Sequence, residues 1–320
     1  MTRAMQERRE LRHQGGLTLI EIMVALVVSL ILIAGVIQIF VGSKQTYRFQ
    51  DSLARVQENG RFALETINRD SRLAGYAGCT SLISVTPNIL VPPPVDYSRD
   101  NYVVGLTAAA GNPFGARVGT DVVTLRMLAP DIVRLSQDMT GAGDVVTIAD
   151  NITDLVVGEV LGIADCNDMD IFSANGVAGG GPVTITPNAV LTKAYLEGTI
   201  LTRFREVSYF VAPGAGAGFA LWRRDINGDT ELVEGVEDMW IRYGVDTNND
   251  GTPNVYLEAA GVADWGRVRS LRVSLLLVSN EDNVTGGPQP VDFRGAAFVP
   301  ADSRYRQVLT TTIGLRNRLP

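Results

Sequence analysis

One carboxylate, Glu21, stands inside an apolar run that extends from Leu17 to Val41. The only other strongly polar residue there is Gln38; Thr18 and Ser29 carry small hydroxyls that a helix satisfies on its own backbone. A carboxylate near the end of a membrane helix costs up to about 2.5–3.5 kcal/mol on insertion scales, so its presence asks for a partner and a role. Just before the run stand Gly15 and Gly16. An ordinary secretory signal puts its small-residue cleavage site after the apolar segment. Here the small residues come first, and a cut there keeps the apolar helix as the start of the mature chain.

Three further groups could do chemistry. Cys79 and Cys166 read as a disulfide in an oxidising compartment and as two unpaired thiols otherwise. Closing a loop of that length stabilises by roughly 4–5 kcal/mol on the chain-entropy model. Asp246, Asn248 and Asp250, followed by Gly251, place oxygens at alternate positions as the opening of a calcium loop does. The twelfth position of such a loop wants a bidentate acid and holds Leu257, with Glu258 one residue late, so an Asn/Asp/Gly turn between strands is the competing reading. Asp225 to Asp229 is shorter and reads as a hairpin turn, with a second calcium donor set as the alternative. Glu234, Glu237 and Asp238 could be imagined as a glycosidase pair, but that needs two carboxylates on one cleft, and a solvated turn explains them. The single histidine, His13, precedes the apolar run and is lost by a cut before Leu17, which removes any His-based triad or His metal site. With no nucleophile elbow, phosphate loop or CxxC, nothing in the sequence supports an enzyme.

The elements that must position these groups follow from periodicity. The leader, 1–16, carries Arg3, Arg8, Arg9 and Arg12 against Glu7 and Glu10, so it should stay cytoplasmic and the chain after Val41 should lie across the membrane. Ile22 to Val41 spans roughly 30 Å at ~1.5 Å per residue, the thickness of a bilayer core. After a polar break at Gly42-Ser43-Lys44, Leu53, Val56, Gly60, Ala63, Leu64, Ile67 and Ala74 recur at steps that give one apolar face, and Gly75 and Gly78 supply the stop. The pattern predicts a helix from Leu17 to Ala74, the first half (17–41) in lipid or a filament core, the second (42–78) docked on a sheet. From Thr80 to about Thr120, Pro92-Pro93-Pro94 and Asn112-Pro113 predict loop. Strands are predicted over Asp121–Met127, Val145–Ile148, Leu155–Ile163, Val183–Ile185, Ile200–Val211, Phe219–Arg224, Met239–Val245, Val268–Val278 and Gln307–Leu315. Gly176–Pro182 and Pro213–Gly218 read as glycine-rich loops, the latter a lobe boundary or a hairpin connection. The fold class is α+β, with 79–320 forming a β-rich domain.

The basic leader, Gly16 and Glu21 together resemble the type IV prepilin leader. That family is cut after the Gly, has Glu as its fifth mature residue, and usually begins with Phe, where this sequence has Leu17. The resemblance implies cleavage between Gly16 and Leu17 by a prepilin peptidase and N-methylation at Leu17. The new ammonium would then lie one turn from Glu21, and the charges either neutralise within one chain or pair between an incoming and an assembled subunit; the resemblance favours the second. Further on, Ile163 to Cys166 with Asp170-Ile171-Phe172, Ala220 to Arg224, Leu232 to Met239, Tyr243 to Gly251 and Thr310 to Arg318 look like the PilW-type minor pilins. What this implies is a type IV pilin-like fold and a non-enzymatic minor subunit that initiates a pilus and sits near its tip, supporting twitching motility and adhesion. Its partners would be other minor and major pilins, the inner-membrane assembly platform and the lipid bilayer. It would be held in the inner membrane with its domain periplasmic, and displayed at the cell surface after assembly.

Charge narrows the partners. The formal net charge is −7, and loss of the leader carries it to about −9. An acidic exported domain lacks the basic stripe that nucleic acid requires, so no nucleic-acid partner is expected. Two alternatives share the same features: a pseudopilin of type II secretion, whose counterparts are usually shorter, and a calcium-dependent adhesive module at the pilus tip. No cofactor is required, calcium being the one candidate.

Overall fold

The computed structural model describes residues 17–79, 85–91, 97–98, 100–150, 154–216 and 218–318; the leader with Gly16, and Pro92-Pro93-Pro94, lie outside them. The chain divides into two compact units, Met1–Asp51 and Ser52–Pro320. A single helix, α1, runs from Leu19 to Leu73. The residues of its second half that are buried, Val56, Gly60, Ala63 and Ile67, recur at the three- and four-residue steps read from the sequence. Gly75, at φ +75°, ends it in the left-handed region that glycine adopts without penalty.

Gly60 is there because the sheet comes close. A Cβ at this position would overlap the side chains of Leu277 and Leu309. Gly60→Val is therefore expected to lower stability by roughly 1–3 kcal/mol through overpacking, read as a drop in thermal midpoint, whereas an unchanged midpoint would show that helix and sheet have room to spare.

Strands follow in the order β1 (Asn88–Ile89), β2 (Val103–Thr107), β3 (Asp121–Leu128), β4 (Val133–Arg134), β5 (Val146–Ile148) and β6 (Val160–Ala164). Next come β7 (Met169–Ala178), β8 (Val183–Pro187), β9 (Ile200–Pro213), β10 (Phe219–Asp225), β11 (Gly228–Glu234) and β12 (Val236–Val245). The last are β13 (Val255–Leu257), β14 (Val268–Val278), β15 (Val291–Phe293), β16 (Ala296–Phe298) and β17 (Arg306–Gly314). Eleven of them form one sheet with the path β11-β10-β9-β6-β7-β8-β5. Its pivot is β9, whose first half pairs β6 and β4 and whose second half pairs β10 and β3. A second sheet, β13-β12-β14-β17, has four strands. Val56, Ala63 and Ile67 of α1 share one core with Leu125 and Tyr209 of the large sheet and Met239, Val273 and Leu277 of the small one. A separate core, with Ile148, Phe172, Ile185 and Tyr195, lies around β5 to β8. Asp70 on α1 ties the helix to the large sheet by accepting Tyr209 Oη at 2.6 Å and Arg223 Nε at 3.3 Å. Burial and this carboxylate push the Tyr209 phenol well above its usual value.

Several boundaries differ from the sequence reading, each for a physical reason. The predicted loop before Thr120 contains β2, because between the two proline-bearing stretches Val103 to Thr107 pair with β3 from Leu125 to Asp121; at Gly105 Tyr243 Oη packs on the backbone and no Cβ fits. The strand predicted from Leu155 begins only at Val160; Asp154 at φ 50° and Gly158 at φ +92° turn the chain first, leaving Val156 and Val157 exposed. Gly176 belongs to β7 and not to a loop. Pro213–Gly218 proves to be the hairpin connection, since Pro213 pairs with Phe219.

Candidate functional site

The unit Met1–Asp51 carries the residues singled out around the apolar run. All of its residues from Leu17 to Val41 are exposed, and the helix is long and apolar enough to cross a membrane. An apolar sleeve on every side has no preferred soluble packing face and suits lipid or a bundle of like helices. Its hydroxyls are satisfied internally: Ser29 Oγ donates to the Ala25 carbonyl at 2.7 Å. Glu21 lies in the first turn of α1. Its Oε2 accepts the Thr18 amide at 3.3 Å and Thr18 Oγ1 at 3.2 Å, while Thr18 Oγ1 accepts the Glu21 amide at 3.4 Å. This is a reciprocal capping box. Thr18 was missed as a functional residue, although a Thr three residues before a Glu at the start of an apolar run is its signature. The arrangement holds the Glu21 carboxylate at the positive end of the helix, beside the residue that a cut after Gly16 would make the second of the chain; Gly16 itself lies outside the described residues.

Cys79 and Cys166 are brought together. Both are exposed thiols, their Sγ atoms 2.6 Å apart, Cys79 beyond the end of α1 and Cys166 in the turn between β6 and β7. Partial burial and the neighbouring sulfur push the Cys79 thiol up to about 11. Lys193 closes the same turn, with Nζ 2.5 Å from Asp165 and 2.7 Å from Asp168.

The Asp246 loop spends its acids on itself. Asp246 is fully buried, accepts the amides of Asp250 at 3.2 Å and Gly251 at 3.0 Å, and sits 3.3 Å from Arg269 Nη2. Asp250 accepts the Thr252 amide at 2.8 Å and Asn248 Nδ2 at 2.9 Å. This is the geometry of the turn reading, with a guanidinium at the carboxylate a calcium ion would need. Among the described residues no group of three or more His, Cys, Asp or Glu is placed to hold a metal ion. Asp225 to Gly228 closes the β10–β11 hairpin.

The acids near residue 234 do not share a cleft, and Glu237 and Asp238 are not a solvated turn. They lie on β12 and meet different cations, Glu237 pairing with Arg306 at 2.7 Å and Asp238 with Arg294 at 3.0 Å. Burial raises the Asp238 carboxyl in spite of Arg294. Arg306 also pairs with Asp302, and its hydrogen bond holds that carboxyl below the ordinary carboxylate range. A folded-state value below the unfolded one (about 3.9) contributes stability that is complete above the unfolded value. It is lost as pH falls through the depressed one. Thermal melts between pH 2 and 7 should therefore show a shallower acid limb for Asp302→Asn than for the parent; parallel limbs would mean that this pair carries no linkage.

Comparison with known proteins adds two matches. Residues 208–317 match the family model described as Type IV Pilus-assembly protein W. Residues 11–37 match the Prokaryotic N-terminal methylation motif. Neither the curated proteins nor the solved structures searched gave a match.

Proposed function

We propose that this chain, which matches the Type IV Pilus-assembly protein W model over residues 208–317 and the prepilin methylation motif over residues 11–37, is a PilW-type minor pilin which helps initiate a type IV pilus and ends near its tip. A structural pilus component of this kind works with other pilins and with the pilus machinery, and its apolar helix provides a membrane anchor. The observation that carries the proposal is one of position. The methylation-motif match covers Gly16, Leu17 and Glu21, and Glu21 is the fifth residue counted from Leu17. In the same chain the PilW-type match spans β10, β12, β14 and β17 of the β-rich domain.

In this reading a prepilin peptidase cuts between Gly16 and Leu17, Leu17 is N-methylated, and the domain faces the periplasm until assembly carries it to the cell surface. Twitching motility and adhesion depend on the completed pilus. No role for calcium forms part of the proposal. Deleting the gene should abolish surface pili while leaving secretion of a type II substrate intact. Lost secretion with normal pili would instead make the protein a pseudopilin.

The cysteine pair fits an exported domain, and we place it as a Cys79–Cys166 disulfide after export. Cys79→Ser is expected to abolish the mobility difference between reduced and unreduced protein and to lower stability by at most about 4–5 kcal/mol. Equal mobility in the parent would show that the pair stays reduced.

A further inference from the structure

The outer face of the four-stranded sheet carries a charge arrangement that helix-driven assembly does not use. Register sets Arg242 on β12 directly opposite Arg272 on β14, and Arg272 opposite Thr312 on β17. Like charges directly opposed across a ladder are destabilising. Other arginines near this sheet are neutralised, Arg294 of the β15–β16 turn by Asp238 and Arg306 of β17 by Glu237 and Asp302. The opposed pair instead leans on rings and a hydroxyl: Arg242 lies over Trp240 at 4.7 Å, Arg272 over Tyr256 at 4.1 Å, and Arg272 Nε donates to Thr312 Oγ1 at 3.3 Å. Stacking on aromatic faces presents the guanidinium edges to whatever occupies the face. Beside them Trp240, Ser274 and Thr310 form the next row and floor a groove of about 440 Å³ that the β15–β16 hairpin closes on one side. Asp292 is the one acid in its lining, and Glu258 is engaged at its rim by Trp240 Nε1 at 3.0 Å.

The same face ends on an open edge. Among the described residues β17 pairs only with β14. Ser279 N donates to Tyr305 O at 2.8 Å and Leu315 N to Arg269 O at 2.9 Å, which fixes the phase of the ladder. By alternation the odd-numbered residues of β17 exchange bonds with β14. Val308, Thr310 and Thr312 therefore turn N–H and C=O to the free side while their side chains line the groove. From Gln307 to Ile313 this edge has no charge and no proline, the devices by which natural edges are blunted.

We propose that β17 accepts an extended acidic segment of a neighbouring subunit as an added strand, its alternate carboxylates facing Arg272, with Arg242 adding to the positive field. Strand addition supplies affinity through backbone bonds, and side chains on one face supply selectivity. At ~4.8 Å between strands, Arg272, already inclined toward Thr312, is within reach of a glutamate on the added strand. A second copy docking β17 to β17 would bring two arginine rows together, so an acidic partner is favoured by charge. That the partner is a pilus subunit rests on the proposed function; strand addition does not.

The test uses the full chain in detergent and two labelled ten-residue peptides, one alternating Thr and Glu, the other Thr and Gln. The acidic peptide should bind at least tenfold more tightly, and its affinity should fall with salt. R242Q/R272Q should erase the preference between the peptides. T310P, which removes an outward N–H and no ladder bond, should weaken both by tenfold or more, while T310A should not. If T310P lowers the melting temperature, R242Q/R272Q carries the decision, because it breaks no backbone bond. Equal binding of the two peptides, or a preference unaffected by R242Q/R272Q, overturns the proposal. So does binding of polyglucuronate or inorganic phosphate in place of the peptide. Loss of pili on gene deletion together with absent peptide binding would overturn strand addition and leave the assembly reading standing.

Discussion

Glu21→Ala is expected to leave the protein inserted in the membrane and to reduce its incorporation into pili by roughly tenfold or more, the equivalent of about 1.4 kcal/mol. Insertion should not suffer, because removing a carboxylate from an apolar helix relieves up to about 2.5–3.5 kcal/mol of transfer cost. Two roles must be separated, since the structure gives Glu21 a capping role within its own chain through the Thr18 amide and Oγ1. Gln serves at this position of a capping box but carries no charge. Thr18→Ala removes the reciprocal hydroxyl, worth about 1 kcal/mol as a cap, and leaves the charge. Pairing with the Leu17 ammonium of a neighbouring subunit therefore predicts that Glu21→Gln fails as badly as Glu21→Ala while Thr18→Ala assembles nearly normally. Quantifying the subunit in sheared pili against the membrane fraction decides it; normal assembly of Glu21→Gln would reduce the residue to a helix cap.

Where sequence and structure agree, local pattern and tertiary demand coincide. β14 occupies Val268–Val278 as the alternation of Leu271, Val273 and Leu275 with Ser270, Arg272 and Ser274 predicts, because it is the central partner of both β12 and β17 and is buried along almost its whole length. The docked half of α1 was legible for the same reason, its buried positions obeying a single period. Errors arose where pairing or turn geometry overrides the local pattern. Val103 to Thr107 read as loop between two proline-bearing stretches but pair with β3, and Val156 and Val157 read as strand but sit on a turn set by Asp154 and Gly158. The candidate site divides in the same manner. Glu21 stands out from an apolar background, and the cysteines can be paired by counting. The Arg242–Arg272 opposition cannot be read from the sequence, since it exists only once the register of two strands is fixed. Asp246 shows the converse: its spacing suggests a calcium loop, and the partner that occupies it, Arg269, lies on another strand.

Asp170→Ala should be among the most destabilising single substitutions in the β-rich domain. Its sequence context, Met169-Asp170-Ile171-Phe172, is a buried strand in which an acid has no reason of burial to exist. The carboxylate instead gathers four donors: Asn88 Nδ2 at 2.6 Å, the Thr192 amide at 3.0 Å, Thr192 Oγ1 at 2.7 Å and Tyr195 Oη at 2.7 Å. These donors come from β1, whose Asn88 is the register partner of Asp170, and from the segment between β8 and β9, which forms no strand, so one side chain fastens that segment to the paired strands β1 and β7. Burial and Asp170 together push the Tyr195 phenol well above its usual value, which keeps it a donor throughout the accessible pH range. Truncation leaves these donors without an acceptor, at about 1–3 kcal/mol for each that water cannot reach. Relaxation recovers part of this, and a net loss of roughly 3–5 kcal/mol is expected, or some 6–20 °C in thermal midpoint for a domain of this size. Tyr195→Phe in the same background removes one stranded donor. The double variant should therefore be less destabilised than the sum of the two single variants, by about 0.5–3 kcal/mol of coupling. Strict additivity in that cycle would mean that Asp170 and Tyr195 contribute independently, and that the buried network does not act as one unit.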